Sequence, residues 1–280
     1  MTNKDLTIII VAFNSEGKIQ KCLNSVDSNF KVIVVENSQN STFKNQLENN
    51  FPNVECILTG ENIGYGKANN IALKKVQTKY SLILNPDTQL EKNALNNFIN
   101  TSKINSNFAI IGPTEGQFTK KLEVEKKEKL IEVDSIKGFA MFLNMEKFKE
   151  IGFFDENIFL YFEEIDLCKR VKKNNEIIFL DPSIKIFHDG GKSVNQDFSY
   201  KIELTRNWHW MWSTFYYHKK HYNFFNAFIK IGPKFFSALF KSLFYTLINN
   251  KKKKEIYFHR LSGIINSILG KSSWHRPTLD

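Results

Sequence analysis

Along the first half of the chain, short runs of β-branched residues alternate with stretches whose apolar positions recur at helical spacing. Thr7-Ile-Ile-Ile-Val11 and Val32-Ile-Val-Val35 are continuous apolar runs, the pattern of parallel strands buried on both faces. The pattern predicts strands at Leu6–Ala12, 31–35, Val54–Leu58, Tyr80–Leu84 and 108–111, with helices near 17–28, 41–50, 66–77 and 91–103 between them. Strands and helices that alternate in this way form βαβ units, so the fold class is α/β around a mostly parallel, Rossmann-like sheet. Beyond it follow an apolar run at 136–143, a short helix from Met145, an acidic helix near 163–173, and strands near 176–180 and 184–188. The charged stretch 120–132 reads as a solvated hairpin or loop without chemistry.

Charge changes the picture near residue 200. The net charge of +10 is not spread evenly: residues 1–199 hold 25 Lys and Arg against 26 Asp and Glu, whereas residues 200–280 hold 14 against 3. The same tail carries all four tryptophans, Trp208, Trp210, Trp212 and Trp274. This divides the chain into an α/β domain over 1–199 and a basic, aromatic-rich helical extension over 200–280. Between 224 and 248, Phe224, Phe228, Ile231, Phe235 and Leu239 mark one helical face, and Lys230, Lys234, Ser237 and Lys241 mark the opposite one, with a kink expected at Gly232-Pro233. Three lysines interrupt the stretch, so it falls short of the roughly 20 uncharged residues that span a bilayer. The expectation is an amphipathic segment lying on an anionic membrane surface, with the four lysines 251–254 meeting headgroups. The competing reading packs the aromatic faces on the catalytic domain or on a second copy in a homodimer.

Three scattered cysteines, Cys22, Cys56 and Cys168, give neither a disulfide framework nor a zinc motif and fit a reducing cytoplasm. Leu6–Ala12 is too short for a spanning helix and lacks a leader's basic start, so the expected location is cytoplasmic, peripheral on the inner face of the membrane.

Chemistry is expected at the carboxyl ends of the strands, where ligands collect in open parallel sheets. Four of those ends are polar: Asn14, Glu36-Asn37, Asn62, and Asn85-Pro86-Asp87. Each alone is an ordinary turn residue; all four on one edge point to a site. The segment Gly60-Glu-Asn-Ile-Gly-Tyr-Gly-Lys-Ala-Asn69 satisfies neither the P-loop nor the dinucleotide fingerprint, which weakens ATPase and dehydrogenase readings. It leaves a close backbone approach at a helix start, with Lys67 able to meet a phosphate and Asn62 and Asn69 able to hydrogen-bond a base or ribose. In Phe159-Leu-Tyr-Phe-Glu-Glu-Ile-Asp166, three carboxylates open a helix, where they also suit its dipole. Helical spacing puts Glu163 and Asp166 on one face and Glu164 about 100° away.

Taken in order, Ile9-Ile-Val-Ala-Phe-Asn14, Val34-Val-Glu-Asn-Ser38, Asn62-Ile-Gly-Tyr-Gly-Lys-Ala-Asn-Asn70, Leu84-Asn-Pro-Asp-Thr88, Lys137-Gly-Phe-Ala-Met141 and Gly152-Phe-Phe-Asp-Glu156 running into the acidic helix resemble the family 2 glycosyltransferases of GT-A fold, most closely their bacterial rhamnosyltransferase-like branch. The resemblance covers about residues 5–215. It implies an inverting hexosyltransferase that takes a sugar, rhamnose from dTDP-rhamnose by preference, from a dTDP- or UDP-linked donor to a hydroxyl of a lipid-linked or surface-polysaccharide acceptor. It implies nucleotide-sugar contacts at Ala12, Phe13, Asn14, Glu36, Asn37, Asn62, Gly64, Lys67, Asn69, Asn85 and Gly138. Asp87 and His188 are implied as ligands of Mn2+ or Mg2+, and the catalytic carboxylates as Glu164, Glu163 and Asp166, with Glu164 at the base position and Glu163 open beside it. Asn85 stands for the first acid of the family's DxD pair, while Glu36 and Glu164 replace its more usual aspartates. The alternatives are a nucleic-acid-binding protein with a basic aromatic tail, which lacks any recognisable module, and an inactive nucleotide-sugar-binding relative.

Overall fold

The structure is a computed structural model that describes residues 5–116, 130–190 and 199–276. Most of the charged stretch 120–132 lies outside the described residues, as does Gly191. The elements run β1 (Leu6–Ala12), α1 (Glu16–Asn24), β2 (Lys31–Glu36), α2 (Ser41–Asn50), β3 (Val54–Leu58), α3 (Tyr65–Leu73), β4 (Tyr80–Leu84), β5 (Thr88–Leu90), α4 (Ala94–Ile104), β6 (Ile110–Gly116), β7 (Ile131–Glu132), β8 (Ala140–Asn144), α5 (Phe148–Ile151), α6 (Glu163–Lys173), β9 (Ile178–His188), α7 (Ser199–His221), α8 (Phe224–Leu247) and α9 (Lys251–Ile268).

One sheet is ordered β3-β2-β1-β4-β8-β6-β9-β5, with β7 paired to β9. The pairs β2–β3, β1–β2 and β1–β4 are parallel, so the carboxyl ends of four consecutive strands share one edge. Between β1 and β4 the order reverses direction, which opens a crevice at their ends. The apolar runs fill both faces: Ile8, Ile10, Val32 and Val34 enter one core, and Ile9, Val11, Ile33 and Val35 enter the other. The predicted strands at 176–180 and 184–188 are a single long strand, β9, whose register against β6 shifts between Pro113 and Thr114. Bending there lets its far end pair with β5, which the pattern did not predict because three residues show no period.

By internal contact the chain forms two compact units, one of Met1–Phe154 with Glu164–Val194 and the other of Asp155–Glu163 with Asn195–Asp280. In the second, α7, α8 and α9 close a small core of Met211, Phe215, Ala227, Ile231 and Ile264. Gly263 permits the close approach of α9 to α7, because a Cβ there would overlap the Trp208 carbonyl oxygen. The segment Asp155–Glu163 is tied to α7 by Asp155, which accepts from Lys220 Nζ at 2.7 Å and Tyr216 OH at 2.9 Å, and by the Leu160 carbonyl, which accepts from Ser213 Oγ at 2.9 Å. Helix α8 is one continuous helix with Pro233 in its interior.

Candidate active site

At the ends of β1, β2 and β3 the backbone forms a shelf. Ala12 pairs with Glu36 in the parallel register, and the Asn37 N–H donates to the Ala12 carbonyl at 2.7 Å. Phe13 is held in a turn by reciprocal bonds with the Ser15 hydroxyl, and Asn14 takes a left-handed φ of 48°. Glu36 closes β2 at 1% exposure; Ser38 Oγ donates to its Oε1 at 2.6 Å, while Oε2 is buried with no hydrogen-bond partner. Burial pushes this carboxyl up to about 7, against the Ser38 hydrogen bond, which lowers it. Between the unfolded value of 4.5 and about 7, the unfolded chain releases the proton and the folded chain keeps it, so stability falls as pH rises through that window. Glu36→Gln is therefore expected to be more stable than wild type at pH 8, by about 3 kcal/mol, and to show little difference near pH 4.5. Thermal melts of both proteins at the two pH values check this, and an equal difference at both would contradict it.

The loop after β3 is organised by Asn37. Its Oδ1 accepts from Ile63 N–H at 3.0 Å and Thr59 Oγ1 at 3.2 Å, and its Nδ2 donates to Asn62 Oδ1 at 3.0 Å and the Gly64 carbonyl at 3.4 Å. Asn37 thus positions the shelf on which the nucleotide is expected. Asn62 also accepts from Gly64 N–H at 3.1 Å, and Gly64 caps α3 with a φ of 92° that favours glycine. Lys67 is exposed in the first turn of α3. Asn69 is buried, with Nδ2 donating to Tyr65 O at 3.0 Å and Oδ1 left without a hydrogen-bond partner.

A separate group gathers at the end of β4. The antiparallel pairing of β5 with β9 sets Thr88 opposite His188, which carries the imidazole to the Asn85-Pro86-Asp87 turn from 103 residues beyond Asn85. His188 Nε2 lies 3.4 Å from Asp87 Oδ1 and 3.5 Å from Asn85 Nδ2, and Asp87 is buried. On the other side of the ring, Nδ1 lies 3.4 Å from Glu115 Oε1. Burial lowers the imidazole's pKa, but the Asp87 and Glu115 carboxylates outweigh it and hold the ring above the usual histidine value. Glu115 escaped sequence reasoning because it stands in a strand of no evident motif; only the β6–β9 pairing brings it to His188.

The tripeptide 137–139, leading into β8, joins these parts. Lys137 pairs with Glu115. The Phe139 ring stacks on His188 at 4.8 Å and 11°, and the Phe139 carbonyl accepts from Asn85 N–H at 2.8 Å. The Gly138 carbonyl accepts from Tyr65 OH at 2.9 Å, and a Cβ on Gly138 would stand 3.2 Å from Glu164 Cβ. Glu164 therefore abuts one residue of this lead and the imidazole abuts the next. Burial raises the Glu164 carboxyl above its usual range, although backbone N–H groups at the start of α6 pull it down.

The other two carboxylates of the acidic helix are placed differently. Glu163 is buried at the end of the segment counted with α7–α9. Asp166 is fully buried and accepts from Arg170 Nε at 2.9 Å, one turn on. That guanidinium in turn donates to the carbonyls of Ile151 at 2.9 Å, Gly152 at 3.1 Å and Phe153. Asp166 thus anchors Arg170, and through it the carbonyls of 151–153. Asp166→Ala strands the cation beside those carbonyls and is expected to lower stability by about 3 kcal/mol in urea unfolding. Unchanged stability with lost turnover would place it in the chemistry instead.

Among the described residues no three His, Cys, Asp or Glu side chains gather as an all-protein metal cage. The pair Asp87 and His188 does fit a divalent cation that shares its shell with a substrate. Asp87 Oδ1 is buried without a hydrogen-bond donor and faces an imidazole nitrogen, an oxygen-and-nitrogen donor set suited to Mn2+. Glu115 on the far nitrogen is the outer carboxylate that orients a ligating histidine.

The chain resembles known glycosyltransferases in sequence and in fold. The chain is 27% identical over 195 residues, 61% of its length, to the low-salt glycan biosynthesis hexosyltransferase Agl10 of Haloferax volcanii, and this match spans only 62% of that relative. It is 26% identical to the rhamnosyltransferase WbbL of Escherichia coli, over 65% of this chain and 82% of the relative. Among solved structures, the mannosyltransferase PcManGT of Pyrobaculum calidifontis, in complex with GDP-Man and Mn2+, superposes with a TM-score of 0.59 at 11% identity, over 95% of this chain and 87% of that one. The profile of glycosyl transferase family 2 matches residues 7–168, more than half of the chain, and the chain, with its GT-A-like sheet, belongs to that family.

Proposed function

We propose that this chain is an inverting, divalent-metal-dependent hexosyltransferase that moves a sugar, rhamnose from dTDP-rhamnose as the first choice, to a hydroxyl of a lipid-linked or surface-polysaccharide acceptor. Residues 1–199 act as the catalytic domain, and 200–280 hold the enzyme at the inner face of the cell membrane. The observation that supports the reading most is the lead 137–139, touched by Glu164 at Gly138 and by the His188 group at Phe139. Relatives named as rhamnosyltransferases, RfbF of Shigella flexneri among them, support the sugar. A solved neighbour with UDP-GlcNAc, TarS of S. aureus, supports a pyrimidine nucleotide.

Each residue has a part. Glu36, with one oxygen held by Ser38 and the other unpartnered, accepts the imide N–H of the pyrimidine. The shelf at Ala12, Phe13 and Asn14 supports base and ribose, Asn62, Gly64 and Lys67 line the phosphate side, and Asn85 and Gly138 flank the sugar. Asp87 and His188 hold the divalent cation, which when bound neutralises the charge that develops on the departing diphosphate. Glu164 takes the proton of the acceptor hydroxyl as its oxygen bonds to the anomeric carbon and the bond to the diphosphate breaks on the opposite face, which inverts the centre. Burial brings this carboxyl closer to neutrality and makes it a stronger base than an exposed glutamate.

A panel of dTDP-, UDP- and GDP-sugars with Mn2+, Mg2+ or chelator tests the reading. The expected result is metal-dependent release of sugar from one pyrimidine donor, with dTDP-rhamnose preferred. Absence of turnover with every donor and metal would overturn it.

A further inference from the structure

The fold uses internally the middle of the helical stripe that the sequence singles out on α8, whereas Phe224 and Phe228 at its start stay half exposed. Ile231 is buried and Phe235 packs against the same core, together with Ala227 on the inner side. A second stripe remains outside: Phe225, Ile229, Phe236, Phe240, Leu243 and Leu247, each at least half exposed. At about 100° per residue these six fall within an arc of about 60°, so they form one continuous apolar strip along the helix. Helix α8 contains no acidic residue. Lys230 and Lys241 are exposed along its flank, and four exposed lysines, 251–254, begin α9 directly beyond its end.

Charge decides what covers this strip. Between 219 and 276 stand twelve Lys and Arg and one acidic residue, Glu255. A second copy docked through the same strip would bring cations against cations, whereas an anionic bilayer offers apolar depth beneath a layer of negative headgroups. No helix among the described residues is long and apolar enough to cross a membrane, and the lysines of α8 require water or headgroups beside them, so the helix lies in the plane of the interface.

We infer that the outer strip of α8 is the surface that seats the protein on anionic lipid. The inference rests on the membrane placement proposed above but on none of the sugar chemistry. The full-length chain is expected to sediment with vesicles of phosphatidylcholine and phosphatidylglycerol and to stay in solution with phosphatidylcholine alone. The variant Phe236→Ser, Phe240→Ser, Leu243→Ser, Leu247→Ser is expected to partition about tenfold or more less, and serine at the four lysines 251–254 to weaken binding most at low salt. Nucleotide binding, measured on the same proteins, is expected to be unchanged, so loss of lipid binding and failure of the glycosyltransferase reading register separately. As a second probe that leaves the strip apolar, Phe240→Trp is expected to add a fluorescence signal quenched by brominated lipid. The inference is overturned if wild type ignores anionic vesicles, if the serine variant binds them like wild type, or if the fluorescence added by Phe240→Trp is not quenched. It is also overturned if the serine variant turns a dimer into a monomer without altering vesicle binding, or if duplex DNA but not lipid is bound.

Discussion

Asp87→Ala is expected to reduce sugar transfer by about two orders of magnitude or more, the scale of a group that stabilises developing charge. The side chain is buried, and its Oδ1 has no hydrogen-bond donor and lies 3.4 Å from His188 Nε2. Removing it takes away the carboxylate half of the proposed metal pair and leaves an imidazole held by Glu115 and the Phe139 ring. Manganese titration followed by electron paramagnetic resonance separates this from a folding defect: the variant is expected to melt cooperatively while its Mn2+ affinity in the presence of nucleoside diphosphate falls. Metal affinity and turnover close to wild type would remove Asp87 from the site.

Glu164→Gln is expected to have an effect of similar size for a different reason. Glutamine keeps the shape that packs against Gly138 but cannot accept a full proton from the acceptor hydroxyl, so donor affinity is expected to persist while transfer falls by about two orders of magnitude or more. The profile against pH adds a check, because the burial that raises this carboxyl places the acidic limb of wild-type activity above the range of an exposed glutamate. Single-turnover transfer with bound donor measures the step directly. Near-normal turnover would reassign the base to Glu163.

The two predictions draw on residues with different histories in the sequence. Asp87 stood out because Asn-Pro-Asp follows a continuous apolar strand, and in a parallel sheet every such end faces the same edge. Glu164 stood in a cluster of three carboxylates whose spacing separated it from the other two without saying which face met the site. Packing made that choice: Gly138 receives Glu164, and Arg170 takes Asp166 into an internal ion pair. Glu115 and Lys137 were illegible because neither lies at the end of a periodic element, and their relation to His188 exists only through strand pairing.

By itself, then, the sequence determined the strands, the helices between them, the polar strand ends and the concentration of positive charge after residue 200, because each of these is carried by neighbours within a turn or a pleat. The tertiary structure decided which distant groups meet. It brought His188 to Asp87 through β5 and β9, turned Asn37 and Asn69 inward, and used one apolar face of α8 while leaving another outside. Local periodicity reports that a side chain avoids water; only the packing of elements far apart in the chain determines what it meets instead.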